Sequence, residues 1–346
     1  MSQSSADGRQ VRLEPSGHTF SVAEGETVLE AALRQGIGLP YGCRNGACGA
    51  CKGMLRAGEL AYGDYQERAL HPQEMAAGKA LTCCTRPLTD IVFEVRELAG
   101  AKDLAIRTMP ARVEKVEKPA DDVAILYLKL PAGERLQFLA GQYVDILLKD
   151  GKRRSFSMAN APHDDQFLQL HVRKSPGGAF SRIVFEQMKE RAILRFEGPL
   201  GTFYLREDGG KPILFVAGGT GFAPIKAIIE HAFEIGIAGP MVLYWGARSR
   251  KDLYMPDLPV AWQEAHPDFT YIPVLSDPLP GDAWQGRTGL VHQAVLDDFP
   301  DLSGYQVYAC GAPAMTDVAR ATFVERGLPG DEFYCDAFTP SVDPKR

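Results

Sequence analysis

A multidomain α+β chain is what this sequence predicts, and three observations carry that prediction. Its 346 residues exceed what one hydrophobic core ordinarily organises, so two or three domains are expected. The texture changes twice, at about residue 98 and again near Lys211. Between those points short strands follow one another, separated by Gly/Pro turns, which is the pattern of a small antiparallel barrel or sandwich. Beyond Lys211 apolar strands alternate with helical segments, the pattern of a parallel α/β sheet.

The first block, residues 1–98, opens with alternating strands at Val11–Leu13 and Phe20–Val22. Thr27-Val-Leu-Glu30 has the spacing of a capping box and starts a helix, which Gly36 and Gly38 end. A cysteine loop follows, and then a strand at Ile91–Val95. Residues 99–109 are small and polar without a sustained period and read as a linker. The second block, 110–206, carries strands at Ala124–Leu130, Tyr143–Leu148, Phe167–Val172 and Ala192–Phe196, interrupted by one helical stretch, Ala179–Lys189. The third, 207–346, alternates strands (Ile213–Ala217, Met241–Trp245, Phe269–Leu275, Gln306–Ala309) with helices (Ala223–Ile235, Val291–Leu296, Ala314–Arg326). No internal repeat is present.

Composition excludes several function classes. The chain is 45% hydrophobic and 24% charged, as soluble globular proteins are. No stretch approaches the ~18–20 apolar residues of a spanning helix. The opening MSQSSADGRQ lacks the apolar core of a signal peptide, so the cytoplasm is the expected compartment. A net charge of −6 argues against nucleic acid as a partner. Nothing in the sequence specifies an oligomeric state.

Five of the seven cysteines lie between residues 43 and 84, which in a reducing compartment points to metal or catalysis rather than disulfides. Tyr41-Gly-Cys43-Arg-Asn-Gly-Ala-Cys48-Gly-Ala-Cys51 has C-x4-C-x2-C spacing, and Cys83 follows at a distance. A 2Fe–2S cluster needs four thiolates, three from one tight loop and a fourth from elsewhere. Gly42, Gly46, Ala47, Gly49 and Ala50 let the backbone close and aim amides at sulfur. A structural zinc site is the competing reading, but zinc loops more often pair two short C-x2-C units. The block resembles a plant-type ferredoxin domain from about Val11 to Leu98, with Leu81-Thr-Cys83 at the fourth ligand. That resemblance implies a β-grasp fold, a 2Fe–2S cluster on Cys43, Cys48, Cys51 and Cys83, and a bystander role for Cys84.

Three short motifs mark the second block: Arg154-Ser155-Phe156-Ser157, Pro176-Gly177-Gly178-Ala-Phe-Ser181, and Gly198-Pro-Leu-Gly201-Thr-Phe203. A dinucleotide pyrophosphate calls for a guanidinium and helix-start amides, which Arg154 and Gly177 to Ser181 supply. A flavin ring calls for an aromatic wall and a hydroxyl near its reactive edge, which Phe156 and Ser157 supply. Singly each motif is weak. In this order and spacing they resemble the ferredoxin–NADP reductase family, which implies a six-stranded antiparallel barrel carrying FAD. The family pattern usually reads R-x-Y-S, so Phe156 keeps the stacking surface and lacks the hydroxyl.

In the third block Ile213-Leu-Phe-Val-Ala-Gly218-Gly219-Thr220-Gly221-Phe-Ala-Pro224 runs from an apolar strand through a glycine turn into a helix. Gly219 and Gly221 permit close approach to a pyrophosphate at the helix start; Pro224 stands where a Rossmann fingerprint has its third glycine. The second strand leads to Arg248, Arg250 and Lys251, with no acidic residue in the usual ribose-binding position. The basic residues suit a 2′-phosphate and NADPH, while the oxygenase reductases that this stretch resembles commonly use NADH, and NADH is the reading adopted. Cys310 and Gly311 end an apolar strand; the resemblance implies that they face the nicotinamide. It also implies an aromatic residue against the flavin near the C-terminus, for which Phe338 is the candidate and Tyr334 the alternative.

Nicotinamide delivers two electrons together as hydride, and a 2Fe–2S cluster takes one at a time. A flavin does both, so it belongs between them. Hydride transfer needs positioning, for which Ser157 and Cys310 are the catalytic candidates. From about Val11 to Phe338 the chain resembles reductase components with an N-terminal ferredoxin, such as phenol or toluene monooxygenase reductases and CDP-6-deoxy-3,4-glucoseen reductase. The resemblance implies an NAD(P)H-dependent oxidoreductase handing electrons to a partner, an oxygenase or alternatively a deoxysugar dehydrase component. A ferredoxin-like carrier or sensor with an inactive reductase half is the alternative of another class.

Overall fold

Burial alternates along the first strands, so each turns one face to a core, and the computed structural model, which describes residues 8–98 and 104–339, builds its first sheet from them. The chain divides into two units, Met1–Ala105 and Ile106–Arg346. In the first unit β1 (Arg9–Glu14), β2 (Thr19–Val22), α1 (Val28–Arg34), β3 (Lys52–Ala57), β4 (Leu60–Tyr62), α2 (Pro72–Ala76), β5 (Lys79–Leu81), β6 (Thr85–Pro87) and β7 (Ile91–Glu94) follow in order. The five-stranded sheet runs β2-β1-β7-β3-β5, with β1 and β7 parallel and the other pairs antiparallel; β4 and β6 form a separate ribbon. Val28, Leu29, Ala31 and Ala32 of α1 share one core with Val11, Leu13, Phe20 and Phe93. The sheet therefore clasps the helix, as the β-grasp expectation required.

The predicted capping box forms: Glu30 N–H donates to Thr27 Oγ1 (3.2 Å) and Thr27 N–H to Glu30 Oε2 (2.9 Å). Gly36, at φ +72°, takes the left-handed turn that ends α1. Gly38 serves a different end from the helix stop expected of it. A Cβ there would run into the carbonyl oxygen of Leu98.

In the second unit β8 (Arg107–Ala120), β9 (Val123–Lys129), β10 (Tyr143–Leu147), β11 (Arg153–Ser157), β12 (Leu168–Arg173), α3 (Ala179–Arg182) and β13 (Ile193–Leu200) come first. Their antiparallel sheet runs β11-β10-β13-β8-β9-β12, and a bridge between Met158 and Leu170 joins the two edge strands. Of the expected linker, residues 99–103 lie outside the described residues, and its end is a strand. β8 begins at Arg107 because Met109, Ala111 and Val113 alternate into the core while Arg107–Arg112 pairs with Ile193–Gly198. The expected helix Ala179–Lys189 is one α-helical turn that widens into a π-turn, Ile183–Gln187.

There follow β14 (Ile213–Gly218), α4 (Phe222–Glu234), β15 (Met241–Ala247), α5 (Asp257–Ala265), β16 (Phe269–Leu275), β17 (Arg287–Thr288), α6 (Val291–Asp298), β18 (Gln306–Gly311), α7 (Pro313–Glu325) and β19 (Phe333–Ala337). All six strands are parallel, in the order β17-β16-β15-β14-β18-β19. The chain moves outward one way from β14 and then returns to its other side with β18. That reversal opens a crevice at the carboxyl ends of β14 and β18, where ligands bind in such sheets. Phe222 stacks on Trp245 at 3.9 Å between ring centres, both fully buried; burying side chains of this size stabilises by ~2–3 kcal/mol each.

Polar contacts join the antiparallel and parallel sheets. Lys226 of α4, buried, donates to Ala159 O (3.1 Å) and pairs with Glu230 (2.7 Å). His171 Nδ1 meets Tyr254 Oη at 2.7 Å. Burial, and the neighbouring Lys226 cation after it, lower the His171 pKa to about 3, so this imidazole is neutral at physiological pH.

Candidate functional site

In the first unit the four cysteines fall into two pairs. Cys43 lies beside Cys48, and Cys51 Sγ stands 3.3 Å from Cys83 Sγ. Two pairs of thiols suit a centre of two irons. The loop aims amides at sulfur, with Ala47 N–H and Cys48 N–H donating to Cys43 Sγ (3.2 and 3.3 Å) and Cys43 N–H to Cys48 Sγ (3.3 Å). Small residues make this possible: a Cβ on Gly42 would stand 3.0 Å from Cys48 Sγ.

The thiols also crowd one another. Cys43 is lowered to about 6, chiefly by its contact with Cys48; burial opposes this and backbone amides add to it. Cys48 is pushed up by Cys43 and by burial, and Cys51 by Cys83 and by burial. For Cys83 the contact with Cys51 pulls downward, but Cys84 and burial prevail and the thiol is raised. Four such groups ionise together only against cationic charge, which bound iron supplies. The donor set therefore fits the cluster. Beside it Lys52 (2.6 Å) and Lys79 (2.9 Å) both bind Glu74, tying α2 to β3 and β5.

In the second unit the expected residues gather where the two sheets meet. Ser157, buried at the end of β11, donates to Asp336 Oδ2 of β19 at 3.2 Å. Asp336 is the register partner of Cys310 on β18. Cys310 is fully buried, and burial, with Asp336 and Cys335 adding to it, pushes its thiol well up, so it is a neutral S–H. Phe338 N–H donates to Gly311 O (2.8 Å), fixing the partly buried Phe338 just past the strand. The alternative aromatic, Tyr334, stacks on Tyr308 at 4.9 Å and lies under the Arg206 guanidinium. Ser157, Cys310, Gly311 and Phe338 thus come together at one end of the crevice, with Asp336 among them.

Along β11, Arg154 is part-exposed, with Nη1 donating to Arg153 O (2.8 Å). Ser155 donates to Asp145 (2.6 Å), and the Phe156 ring lies 5.1 Å from Phe180. The Pro-Gly-Gly turn opens α3 with Gly177 at φ +72°. Gly178 fits because a Cβ would stand 2.6 Å from Ser181 Oγ; that hydroxyl turns inward, donating to Gly178 O (3.1 Å) and accepting from Ser175 N–H (3.2 Å).

At the mouth of β14, Gly218 packs against Gly311 and Met315, and a Cβ on Gly221 would strike Cys310 O. Gly219 (φ +53°) and the buried Thr220 form the tight turn into α4, whose interior the Pro224 ring joins within the first helical turn, where no N–H is needed. Arg173 reaches the same turn. It pairs with Asp122 (2.7 Å) and Asp252 (3.4 Å), and its Nη1 stands 2.5 Å from where a Gly219 Cβ would be. A guanidinium over a helix start is a surface for an anion. Farther along, Arg248 is exposed, with Asp277 Oδ2 3.8 Å away, while Arg250 binds Asp282 O (3.2 Å).

The comparisons with known proteins match this division of labour. A model of the 2Fe-2S iron-sulfur cluster binding domain matches residues 11–88, one of the oxidoreductase FAD-binding domain residues 110–204, and one of the oxidoreductase NAD-binding domain residues 215–321. The chain is 42% identical over 334 residues to the CDP-6-deoxy-L-threo-D-glycero-4-hexulose-3-dehydrase reductase of Yersinia pseudotuberculosis, covering 96% of this chain and 98% of the relative. The chain belongs to the iron–sulfur flavoprotein reductases. The reductase is also 38% identical to reductase component 2 of the terephthalate 1,2-dioxygenase of Comamonas sp., over 95% of this chain and 97% of that one. Among solved structures it resembles the Amycolatopsis cytochrome P450 reductase GcoB, with a TM-score of 0.80 and 35% identity over 96% and 99% of the two chains. It is an NAD(P)H-dependent oxidoreductase that moves electrons from NAD(P)H through FAD to a 2Fe–2S cluster. Among the described residues no helix is long and apolar enough to cross a membrane.

Sequence reasoning missed Asp336, Arg173, Asp277 and the His171–Tyr254 pair. Asp336 sits inside a motif already singled out, and its two-residue spacing from Tyr334 on β19 and from Phe338 just beyond it was the available signal. Arg173 carried no signal of its own, because its site is made by a glycine on another sheet. Asp277 follows β16 rather than the second strand, so only the fold brings it near Arg248.

Proposed function

We propose that this reductase passes electrons from NADH to a separate acceptor protein, with residues 1–98, 107–206 and 207–346 as its cluster, flavin and nucleotide domains and 99–106 as the connection. A bound FAD would supply the conversion between two-electron hydride and single electrons. Cys43, Cys48, Cys51 and Cys83 hold the irons. Arg154 and the amides of the Gly177–Gly178 turn bind the flavin pyrophosphate, Phe156 walls the ring, and Ser181 shapes the turn. Arg173 and the amides of Gly219, Thr220 and Gly221 receive the nucleotide pyrophosphate.

The meeting of Ser157, Asp336 and Cys310 carries this reading. Asp336 accepts a hydrogen bond from Ser157 and fixes that hydroxyl at the end of β11, Cys310 sets the depth at which a nicotinamide rests, and Phe338 keeps water off the ring. NADH is favoured over NADPH because Asp277 faces Arg248 and would repel a 2′-phosphate. None of the seven cysteines is joined in a disulfide, which suits a reducing, cytoplasmic compartment.

For the acceptor, the 42% identity to a dehydrase reductase over nearly the whole of both chains favours a deoxysugar dehydrase, and the 38% identity to a dioxygenase reductase supports an oxygenase as the second reading. The test is reconstitution of the purified reductase with a CDP-sugar dehydrase or an aromatic oxygenase component. NADH-driven turnover with the dehydrase alone is expected. Turnover with the oxygenase alone reverses the choice, and product formed without any partner overturns the proposal.

A further inference from the structure

A fifth thiol lies inside the cluster site. Cys84 is 7% exposed, and its Sγ stands 3.4 Å from Cys83 Sγ, which in turn stands 3.3 Å from Cys51 Sγ. Cys83 Sγ thus touches both Cys51 and Cys84. The backbone holds Cys84 in place: Cys84 N–H donates to Leu81 O (3.0 Å), and Cys84 O accepts from Gly63 N–H (2.8 Å). The ligand loop closes over the same sulfur. Gly46, at φ +72°, leaves room for it, since a Cβ there would stand 2.6 Å from Cys84 Sγ and 2.8 Å from Asp64 O.

We propose that Cys84 is a positioning residue for the cluster's electronics: its S–H donates to the Cys83 ligand sulfur and raises the reduction potential. The direction of this bond follows from ligation. Between two free thiols either sulfur can donate, but a thiolate bound to iron carries no proton, so only Cys84 can. One-electron reduction of the cluster makes and breaks no bond and adds one negative charge, part of which resides on the ligand sulfurs. A donor held against one of them stabilises the reduced form more than the oxidised form. Burial keeps water from competing for that sulfur. A thiol is a weak donor, so the effect is modest, but it acts in the direction that draws electrons from flavin to cluster.

The inference rests on Cys83 as the fourth ligand, and the experiment separates the two. Full-length reductase carrying Cys84→Ala, Cys84→Ser or Cys83→Ala is examined for iron and acid-labile sulfide, visible circular dichroism, and cluster midpoint potential by spectroelectrochemistry. Cys84→Ala is expected to keep its iron and sulfide while the one-electron equilibrium shifts about threefold toward the oxidised cluster, or ~30 mV at ~59 mV per tenfold. Cys84→Ser, which retains an O–H donor, is expected to recover part or all of that shift, and Cys83→Ala to lose the cluster. An unchanged or raised potential in Cys84→Ala overturns the tuning role, as does a Cys84→Ser potential no higher than that of Cys84→Ala. Loss of iron from both Cys84 variants with retention in Cys83→Ala overturns the ligand assignment instead.

Discussion

Cys51 and Cys83 meet across 32 residues of one small unit, whereas Ser157 reaches Asp336 across 179. The cluster site draws three of its ligands from nine consecutive residues, and the hydrogen bonds to their sulfurs come from the same loop. The crevice site is distributed. Its hydroxyl comes from an antiparallel strand, its carboxylate and thiol from two parallel strands, and its guanidinium from a third region, β12. A local site is written in spacing and needs little beyond a loop that closes. A distributed site exists only after two sheets have packed, so its integrity depends on contacts such as Lys226 with Ala159 and His171 with Tyr254.

The sharpest way to break this contrast is to remove one local ligand. Cys51→Ala is expected to abolish the cluster's visible bands and iron content while flavin absorption and its bleaching by NADH persist. Loss of flavin together with iron would mean that the sites are not separable.

Acid should strike the distributed site. His171 is neutral and buried with its pKa lowered to about 3, whereas an unfolded histidine titrates near 6.5. Below that value the unfolded chain gains a proton that the folded one refuses. The second unit is therefore at full stability above pH ~6.5 and loses stability as pH falls toward 3, by ~3 kcal/mol at pH 4. His171→Asn, which retains a partner for Tyr254, should flatten that loss in chemical denaturation between pH 4 and 7, while an equally steep loss in the variant would assign the acid sensitivity elsewhere.

Within the crevice, Ser157→Ala should slow flavin reduction by NADH about 100-fold, ~2.7 kcal/mol, with FAD still bound, because the hydroxyl that Asp336 fixes is gone. Cys310→Ala removes a neutral thiol and should cost about 10-fold, leaving the cluster spectrum intact; rapid-mixing absorbance reads both, and unchanged hydride transfer in Cys310→Ala removes that residue from the site. The smallest effect concerns the nucleotide. Asp277→Asn should raise kcat/KM for NADPH about threefold and leave that for NADH nearly unchanged, since only the 2′-phosphate meets the carboxylate.

This contrast also explains what the sequence could disclose. The cysteine spacing, the Thr27–Glu30 capping box and the Gly218–Gly221 turn are local devices, and each forms where its spacing predicts. The three-block division emerged for the same reason, because strand and helix periods are local. The start of β8 reads as linker because Arg107-Thr-Met-Pro alternates too briefly until Ile193–Gly198 pairs with it. The π-turn after α3 keeps the apolar spacing of an ordinary helix and so is invisible to periodicity. Asp336, Arg173 and Asp277 acquire meaning only from what lies opposite them: Ser157, Gly219 and Arg248.

Hydride enters at the crevice and single electrons leave at the cysteine loop, in that order. Anaerobic rapid mixing of the complete reductase with NADH, followed at flavin and cluster wavelengths together, tests it most directly. Flavin absorbance should fall first and cluster absorbance after it, and Cys51→Ala should keep the first phase and lose the second. Cluster bleaching that precedes flavin reduction, or that survives in protein stripped of FAD, would contradict it.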